Sequence, residues 1–136
     1  MSKLITWSDR YSVGVARIDA QHQRLVELLN EFHAAMLAGG GRAAVGKTLD
    51  GLVDYTLSHF AAEEALMKHV AYPGYEQHKA EHTKLIEQVK LLTGKAQTAG
   101  SALTLEVAAF LQHWLTDHIA NVDKKYGPHL IAAGIK

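Results

Sequence analysis

Several histidines of this chain occupy positions where a buried helix would normally carry leucine or isoleucine. The sequence has nine histidines and no cysteine in 136 residues. Five of these histidines and one glutamate continue stripes of apolar residues spaced three and four apart, the spacing that faces a helical core. One such histidine alone indicates a core residue hydrogen-bonded to a neighbour, but six polar groups together predict a buried metal site. These six residues are His22, His59, Glu63, His78, His82 and His118.

The energetic reason is the cost of burying polar groups. A polar side chain without a partner costs about 1–3 kcal/mol in a core, and a bare carboxylate costs more. Mutual hydrogen bonds could satisfy a few of these groups, whereas a bound cation satisfies all of them. The spacing supports this, since His59 and Glu63 are four residues apart, as are His78 and His82. Four residues advance a helix by about 400° and about 6 Å, so each pair shares one helix face.

The fourth stripe leaves two interpretations open. Asp123 follows His118 by five residues, which places the two side chains about 140° apart on a regular α-helix. Spacing alone therefore favours a surface acid beside Lys124 and Lys125. The alternative is that Asp123 enters the core. Either it reaches in from the helix flank, or a π-type widening of the helix, common at functional sites, brings the two residues into register.

The number of donors bears on the number of ions. With Asp123 included, five imidazoles and two carboxylates are too many ligands for one first-row metal ion. If the five imidazoles are divided between two ions and both carboxylates bridge the pair, one ion receives one ligand fewer than the other. The sequence therefore predicts two ions, one of them with an open position. Mixed imidazole and carboxylate ligation suits iron better than Ca²⁺ or Mg²⁺, without excluding Zn²⁺ or Mn²⁺.

Four helices must position these residues. Glycine and proline cluster at breaks between long periodic segments, and the short connections favour antiparallel neighbours. We expect an all-α fold, an antiparallel up-down four-helix bundle, as one domain over residues 1–136. An N-terminal arm with Trp7, Tyr11, Val13 and Val15 is expected to pack across it. The predicted elements are the arm over about 1–17 and helices over about 18–38, 43–70, 75–93 and 102–125.

Composition narrows the classes of function. Lysine plus arginine equals aspartate plus glutamate at 14 each, which argues against binding to nucleic acid or to an anionic membrane. The lack of cysteine excludes disulfides, iron–sulfur clusters and thiolate zinc sites. The N-terminus has no apolar signal segment and no run is long enough to cross a bilayer, so we expect no membrane insertion and a cytoplasmic location.

At this point the residues resemble the hemerythrin family, in particular its single-domain bacterial members. The resemblance covers the chain from about Trp7 to Tyr126, and every ligand position of the family pattern is filled. It is carried by Val13-Gly14-Val15, Ile18-Asp19-x-Gln21-His22, His59-Phe60-Ala61-Ala62-Glu63-Glu64, His78-x-x-x-His82 and Trp114-Leu115-x-x-His118-Ile119-x-x-x-Asp123-x-x-Tyr126.

The resemblance implies a non-haem centre of two irons (Fe²⁺/Fe³⁺) with a bridging oxo or hydroxo group. It implies that three histidines bind one iron, two bind the other, and both acids bridge the pair. Dioxygen would bind reversibly at the open position of the two-histidine iron, with no catalytic side chain. The implied ligands are His78, His82 and His118 for one iron, His22 and His59 for the other, and Glu63 and Asp123 as bridges.

An apolar lining around the open position would keep out water and anions. Leu115 is the strongest single prediction for this pocket, although its members could all be ordinary core residues. The five predicted lining residues are Leu25, Phe60, Trp114, Leu115 and Ile119. The other polar candidates are assigned elsewhere: His33, His69, His113 and His129 to the surface or rim, Glu64 to solvent or to contact with a ligand, and Asp19 to a helix N-cap or first turn.

The function implied by the resemblance is a dioxygen-binding protein, not an enzyme. It would act as a monomer in oxygen storage, transport or delivery to an oxygen-consuming enzyme. Alternatives are an oxygen or redox sensor, a di-iron enzyme that handles peroxide or nitric oxide, an iron store, and a zinc-stabilised bundle. A ferritin-like oxidase is disfavoured because its Glu-x-x-His pairs occur nowhere in this sequence.

Overall fold

The computed structural model describes residues 5–37, 42–99 and 101–135, and all regular elements in this part of the chain are helical. Helices α1 and α2 are followed by α3 and α4, and a short α5 closes the chain. Helix α4 continues without a break into a π-helical turn and a 3₁₀ turn. The bounds are α1 Ala16–Leu37, α2 Arg42–His69, α3 Tyr75–Ala99, α4 Ser101–Asp117, the π turn His118–Val122, the 3₁₀ turn Asp123–Lys125 and α5 Gly127–Ala132.

The four long helices form the predicted bundle. Helix α1 packs against α2 and α4, and α3 packs against the same two helices. This ring of sequential neighbours, with short connections, is the up-down arrangement. In the described part of the chain, no helix is long and apolar enough to cross a membrane.

Apolar side chains fill the bundle on both sides of a polar layer. One cluster includes Leu25, Leu29 and Phe32 from α1 with Leu115 from α4. A separate cluster joins the arm to the other end of the bundle. Its buried members are Val13, Val15, Ile18, Met67, Tyr126 and Leu130. A third cluster contains Phe60, Leu85 and Val89. The histidine positions lie between apolar positions of these clusters, so the fold places them in the middle of the core.

The N-terminal arm is held by Asp19, in the first turn of α1. Its carboxylate accepts hydrogen bonds from Ser12 Oγ at 2.5 Å and from the backbone nitrogen of Val13 at 2.8 Å. The predicted first-turn position of Asp19 is therefore correct. Further out, the side chain of Asn30 exchanges two hydrogen bonds with the backbone of Ile5.

The elements differ from the predicted bounds in three places. Helix α1 begins at Ala16 rather than at residue 18, and α3 continues through Gly94 to Ala99, since one glycine costs a helix only about 1 kcal/mol. Helix α5 was not predicted, because Gly127-Pro128 marks a break in the sequence although proline is well suited to a helix start. The predicted end of the first helix at residue 38 and the breaks at 39–41 and 100 lie outside the described residues.

Candidate metal centre

The polar layer consists of seven side chains that the bundle almost completely buries. Each helix of the bundle contributes at least one of them, and none is more than 3% exposed. The seven are His22, His59, Glu63, His78, His82, His118 and Asp123.

These side chains form two overlapping groups. In each group the potential ligand atoms all lie within 4.8 Å of one another. One group contains three histidines and the other contains two, and both groups include Glu63 and Asp123. The groups are His78, His82 and His118 with the two acids, and His22 and His59 with the same two acids.

Asp123 divides its two oxygens between the groups. Oδ2 lies 3.0 Å from Nε2 of His22, whereas Oδ1 lies 2.9 Å from Nε2 of His78 and 2.9 Å from Nε2 of His118. The carboxylate therefore points one oxygen at the two-histidine group and the other at the three-histidine group.

Glu63, on helix α2, also divides its two oxygens between the groups. Its Oε1 contacts Nε2 of His59 and lies 3.6 Å from Nε2 of His22, while Oε2 lies 3.4 Å from Nε2 of His78. Two carboxylates that each face both groups have the geometry of bridging ligands between two cations.

A π-helical turn brings Asp123 into the site. Residues His118–Val122 form this turn, and the backbone nitrogen of Asp123 donates to the carbonyl oxygen of His118. The wider turn places residues five apart on one face. Asp123 is only 1% exposed, so the surface position that its spacing favoured is wrong and the π-type alternative is confirmed.

The donor set fits cations better than it fits hydrogen bonding. The Nε2 atom of His118 lies 3.1 Å from that of His78 and 3.2 Å from that of His82, so three ring nitrogens converge. The carboxylate oxygens of Glu63 and Asp123 are buried without a well-formed hydrogen bond in the described part of the chain. Unpaired buried acceptors around converging imidazoles are the environment that a metal ion satisfies.

The two acids also control the protonation of the site. Burial disfavours a charged His22, but the attraction of the nearby Asp123 and Glu63 carboxylates outweighs this and raises its pKa to about 9. His78 reaches a pKa of about 9 for the same reasons. Burial lowers the pKa of His82 to about 3. Burial also opposes ionisation of Glu63, yet its histidine neighbours hold its pKa well below the ordinary value. Without metal, protons on imidazole therefore balance the carboxylate charge.

Contacts behind the histidines fix the direction in which the rings point. Nδ1 of His59 lies 2.6 Å from Oε1 of Gln21, and Nδ1 of His82 lies 3.1 Å from Oε2 of Glu64. Glu64 is thus the partner of a site histidine, one of its two predicted roles. Gln21 was missed as a site residue because its contact joins positions 38 apart in sequence, which spacing along one helix does not indicate.

An apolar cavity of about 40 Å³ lies within the bundle next to the metal layer, and none of the seven polar residues lines it. A space of 10–15 Å³ is roughly enough for one water molecule, so a diatomic ligand fits. Four of the five predicted pocket residues line it: Leu25, Phe60, Trp114 and Leu115. Ile119 is buried in the adjacent core but does not belong to this lining. Thr56 is also at the cavity, and its hydroxyl donates to the carbonyl oxygen of Leu52.

Two aromatic rings of the cavity lining lie between the cavity and the histidines. Phe60 stacks on His82 with ring centroids 3.7 Å apart, and Trp114 stacks on His118 with centroids 4.1 Å apart.

The remaining histidines lie away from the site. His69, His113 and His129 are exposed and His33 is half-buried, in agreement with their predicted surface or rim positions.

Comparisons with known proteins agree on one family. The family described as "Hemerythrin HHE cation binding domain" matches residues 13–130. A bacteriohemerythrin of Stenotrophomonas maltophilia (strain R551-3) is 40% identical over 95% of this chain and 83% of its own length. A bacteriohemerythrin of Methylococcus capsulatus (strain Bath) is 36% identical over 95% of this chain and 98% of its own length.

Solved structures show the same similarity. A crystal structure of a wild-type hemerythrin superimposes with a TM-score of 0.86 at 36% identity, covering 93% of this chain and 98% of that one. The structure of a hemerythrin variant in which a leucine is replaced by alanine gives a TM-score of 0.87 at 35% identity, over 95% and 98% of the two chains.

Proposed function

This chain belongs to the hemerythrin family, and from that premise we propose that seven of its side chains hold the iron pair at which it binds dioxygen reversibly. The observation that carries the proposal is the way in which Glu63 and Asp123 share their oxygens. Each acid points one oxygen at the three-histidine group and the other at the two-histidine group. A site for one ion would not need this division, whereas a bridged pair requires it.

The two groups indicate which residues would hold the irons. His78, His82 and His118 would hold one iron and His22 and His59 the other, with Glu63 and Asp123 shared between them. The two-histidine iron would then have one protein ligand fewer, which would leave room for dioxygen. When bound, the iron pair supplies the electrons that dioxygen takes up on binding and returns on release, by cycling between Fe²⁺ and Fe³⁺.

The protein's own contribution is to exclude water. The lining of the cavity is almost entirely apolar, with Leu25, Phe60 and Leu115 among its members, and the hydroxyl of Thr56 is already bonded to a backbone carbonyl. A dry environment of this kind offers no hydrogen-bond partner to displace the ligand. No side chain at the site is needed as a general acid or base, which supports a binding protein over an enzyme.

The remaining features of the proposal concern the whole protein. We propose a single domain that works in the cytoplasm as a monomer and stores, transports or delivers dioxygen to an oxygen-consuming enzyme. The large apolar side chains exposed in the described part of the chain support the monomer. They are Leu37, Leu57, Leu91 and Ile131, on four different helices, which does not suggest one extended apolar interface.

An optical titration tests the proposal. The iron-loaded protein is reduced anaerobically, titrated with dioxygen, then degassed, while its iron content is measured. We expect about two irons per chain and a visible ligand-to-iron charge-transfer band that forms with dioxygen and vanishes on degassing. A direct conversion to the fully oxidised spectrum would instead indicate an enzyme or scavenger. Zinc in place of iron in the protein as isolated would indicate a structural site.

A further inference from the structure

The two histidine groups differ in the charge that lies behind them. On the two-histidine side, Nδ1 of His59 contacts the neutral amide of Gln21 at 2.6 Å. On the three-histidine side, Nδ1 of His82 contacts the carboxylate of Glu64 at 3.1 Å, and Nδ1 of His118 lies 3.7 Å from the carboxylate of Glu81.

The second histidine of the smaller group adds no charge. Nδ1 of His22 is buried and has no hydrogen-bond partner in the described part of the chain. The outer contacts seen for the two-histidine group therefore bring no carboxylate, whereas those seen for the three-histidine group bring two. Glu63 and Asp123 face both groups and do not contribute to this difference.

The difference matters because of how an imidazole binds metal. A ring that binds through Nε2 carries its proton on Nδ1, and the acceptor of that proton fixes the orientation of the ring. A carboxylate acceptor also makes the ring a stronger donor and stabilises the higher charge of a ferric ion. An amide acceptor fixes the orientation without adding charge.

We propose that Gln21 is a positioning residue that orients His59 through a neutral contact and thereby keeps the two-histidine iron easily reduced. Release of dioxygen requires the electrons to return to the irons, and a carboxylate at position 21 would oppose this by stabilising Fe³⁺. The inference rests on the proposed function, in which His59 binds the iron with the open position.

Paired substitutions test it in the full iron-loaded chain, with the reduction potential as readout. Gln21→Glu adds charge behind His59, and Gln23→Glu adds the same charge at an exposed position two residues along the same helix. We expect Gln21→Glu to favour the oxidised state about tenfold, a lowering of about 59 mV for a one-electron step. Gln23→Glu should leave the potential unchanged.

Glu64→Gln gives the opposite test, since it removes charge behind His82 and should raise the potential. Gln21→Ala removes the contact without adding charge, so it should weaken iron binding about 10-fold or more without lowering the potential. Equal shifts in Gln21→Glu and Gln23→Glu, or shifts of the same sign in Gln21→Glu and Glu64→Gln, would overturn the inference while leaving the iron pair intact. A wild-type chain that binds no iron pair would overturn the proposed function as well.

Discussion

Leu115 lines the apolar cavity one helical turn away from a histidine of the metal layer. It lies three residues before His118 on α4 and is 8% exposed. Its neighbours in the cavity lining include Leu25 and Trp114. A polar side chain here would bring a hydrogen-bonding group, and with it water, to the open position.

Replacing Leu115 with serine should therefore accelerate the autoxidation of the dioxygen-loaded protein. One added hydrogen bond worth about 1 kcal/mol corresponds to about a fivefold faster rate. The rate is followed by the decay of the visible band, and iron analysis should still give about two irons per chain. Leu91→Ser is the matched control, since Leu91 is 60% exposed. An unchanged rate in Leu115→Ser would remove this residue from the pocket.

The histidines predict that the stability of the metal-free protein depends on pH, whereas that of the metal-loaded protein does not. In the metal-free protein, the acids raise the pKa of His22 and of His78 to about 9, from 6.5. A raised histidine pKa stabilises the fold fully below pH 6.5, and the contribution is lost as the pH rises through 9. Once metal replaces the protons on these histidines, the stability of the fold no longer depends on their protonation.

We therefore expect the Tm of the metal-free protein to fall by about 5 °C or more between pH 6.5 and pH 9. The iron-loaded protein should show little change over the same range. Thermal melts followed by circular dichroism measure both. A metal-free protein that is equally stable or more stable at pH 9 would show that His22 and His78 do not share protons with the acids in this way.

At the scale of the elements, the arm lies so close to the start of α5 that no side chain fits between them. Gly127 begins α5, and a Cβ added there would collide with the backbone oxygen of Val13. Val13 is itself held by Asp19, so the backbone of the arm has little freedom to move away. Val13 also packs with Tyr126 and Met67 in the cluster that joins the arm to the bundle.

Gly127→Ala should accordingly destabilise the protein by about 2 kcal/mol or more, because the added methyl group overpacks a rigid site. Gly51→Ala is the control, since Gly51 lies in α2 with open space around its Cα and alanine is favoured there by about 1 kcal/mol. Urea denaturation of both variants measures the changes. If Gly127→Ala and Gly51→Ala were equally stable, the arm would be able to move away from the added methyl group without a loss of stability.

The π turn is an element that the sequence left undecided. Periodicity predicted four helices because their apolar stripes are long, and His22, His59 and His82 continue those stripes. The five-residue step from His118 to Asp123 is compatible with either a surface acid or a π turn, and only the backbone of α4 distinguishes the two. Gln21 lay beyond sequence reasoning because its partner comes from another helix.

For the whole molecule, the point to explain is how the core can contain two buried carboxylates. The chain has 14 basic and 14 acidic side chains, and two of its acids lie at the centre with almost no exposure. Two divalent irons held there would offset the charge of these acids and of a hydroxide ligand, and would leave only a small residual charge. The bundle and six of the seven polar residues follow the same helical periodicity, so the fold and the burial of those six could be predicted from spacing, whereas the burial of Asp123 could not.

Anomalous diffraction from crystals of the iron-loaded protein is the most direct test of the central claim. Two iron peaks are predicted, one bound by three histidines and the other by His22 and His59, with Glu63 and Asp123 in contact with both. A single iron peak, or two irons with His22 bound to neither, would contradict the paired site and with it the assignment of reversible dioxygen binding to these residues.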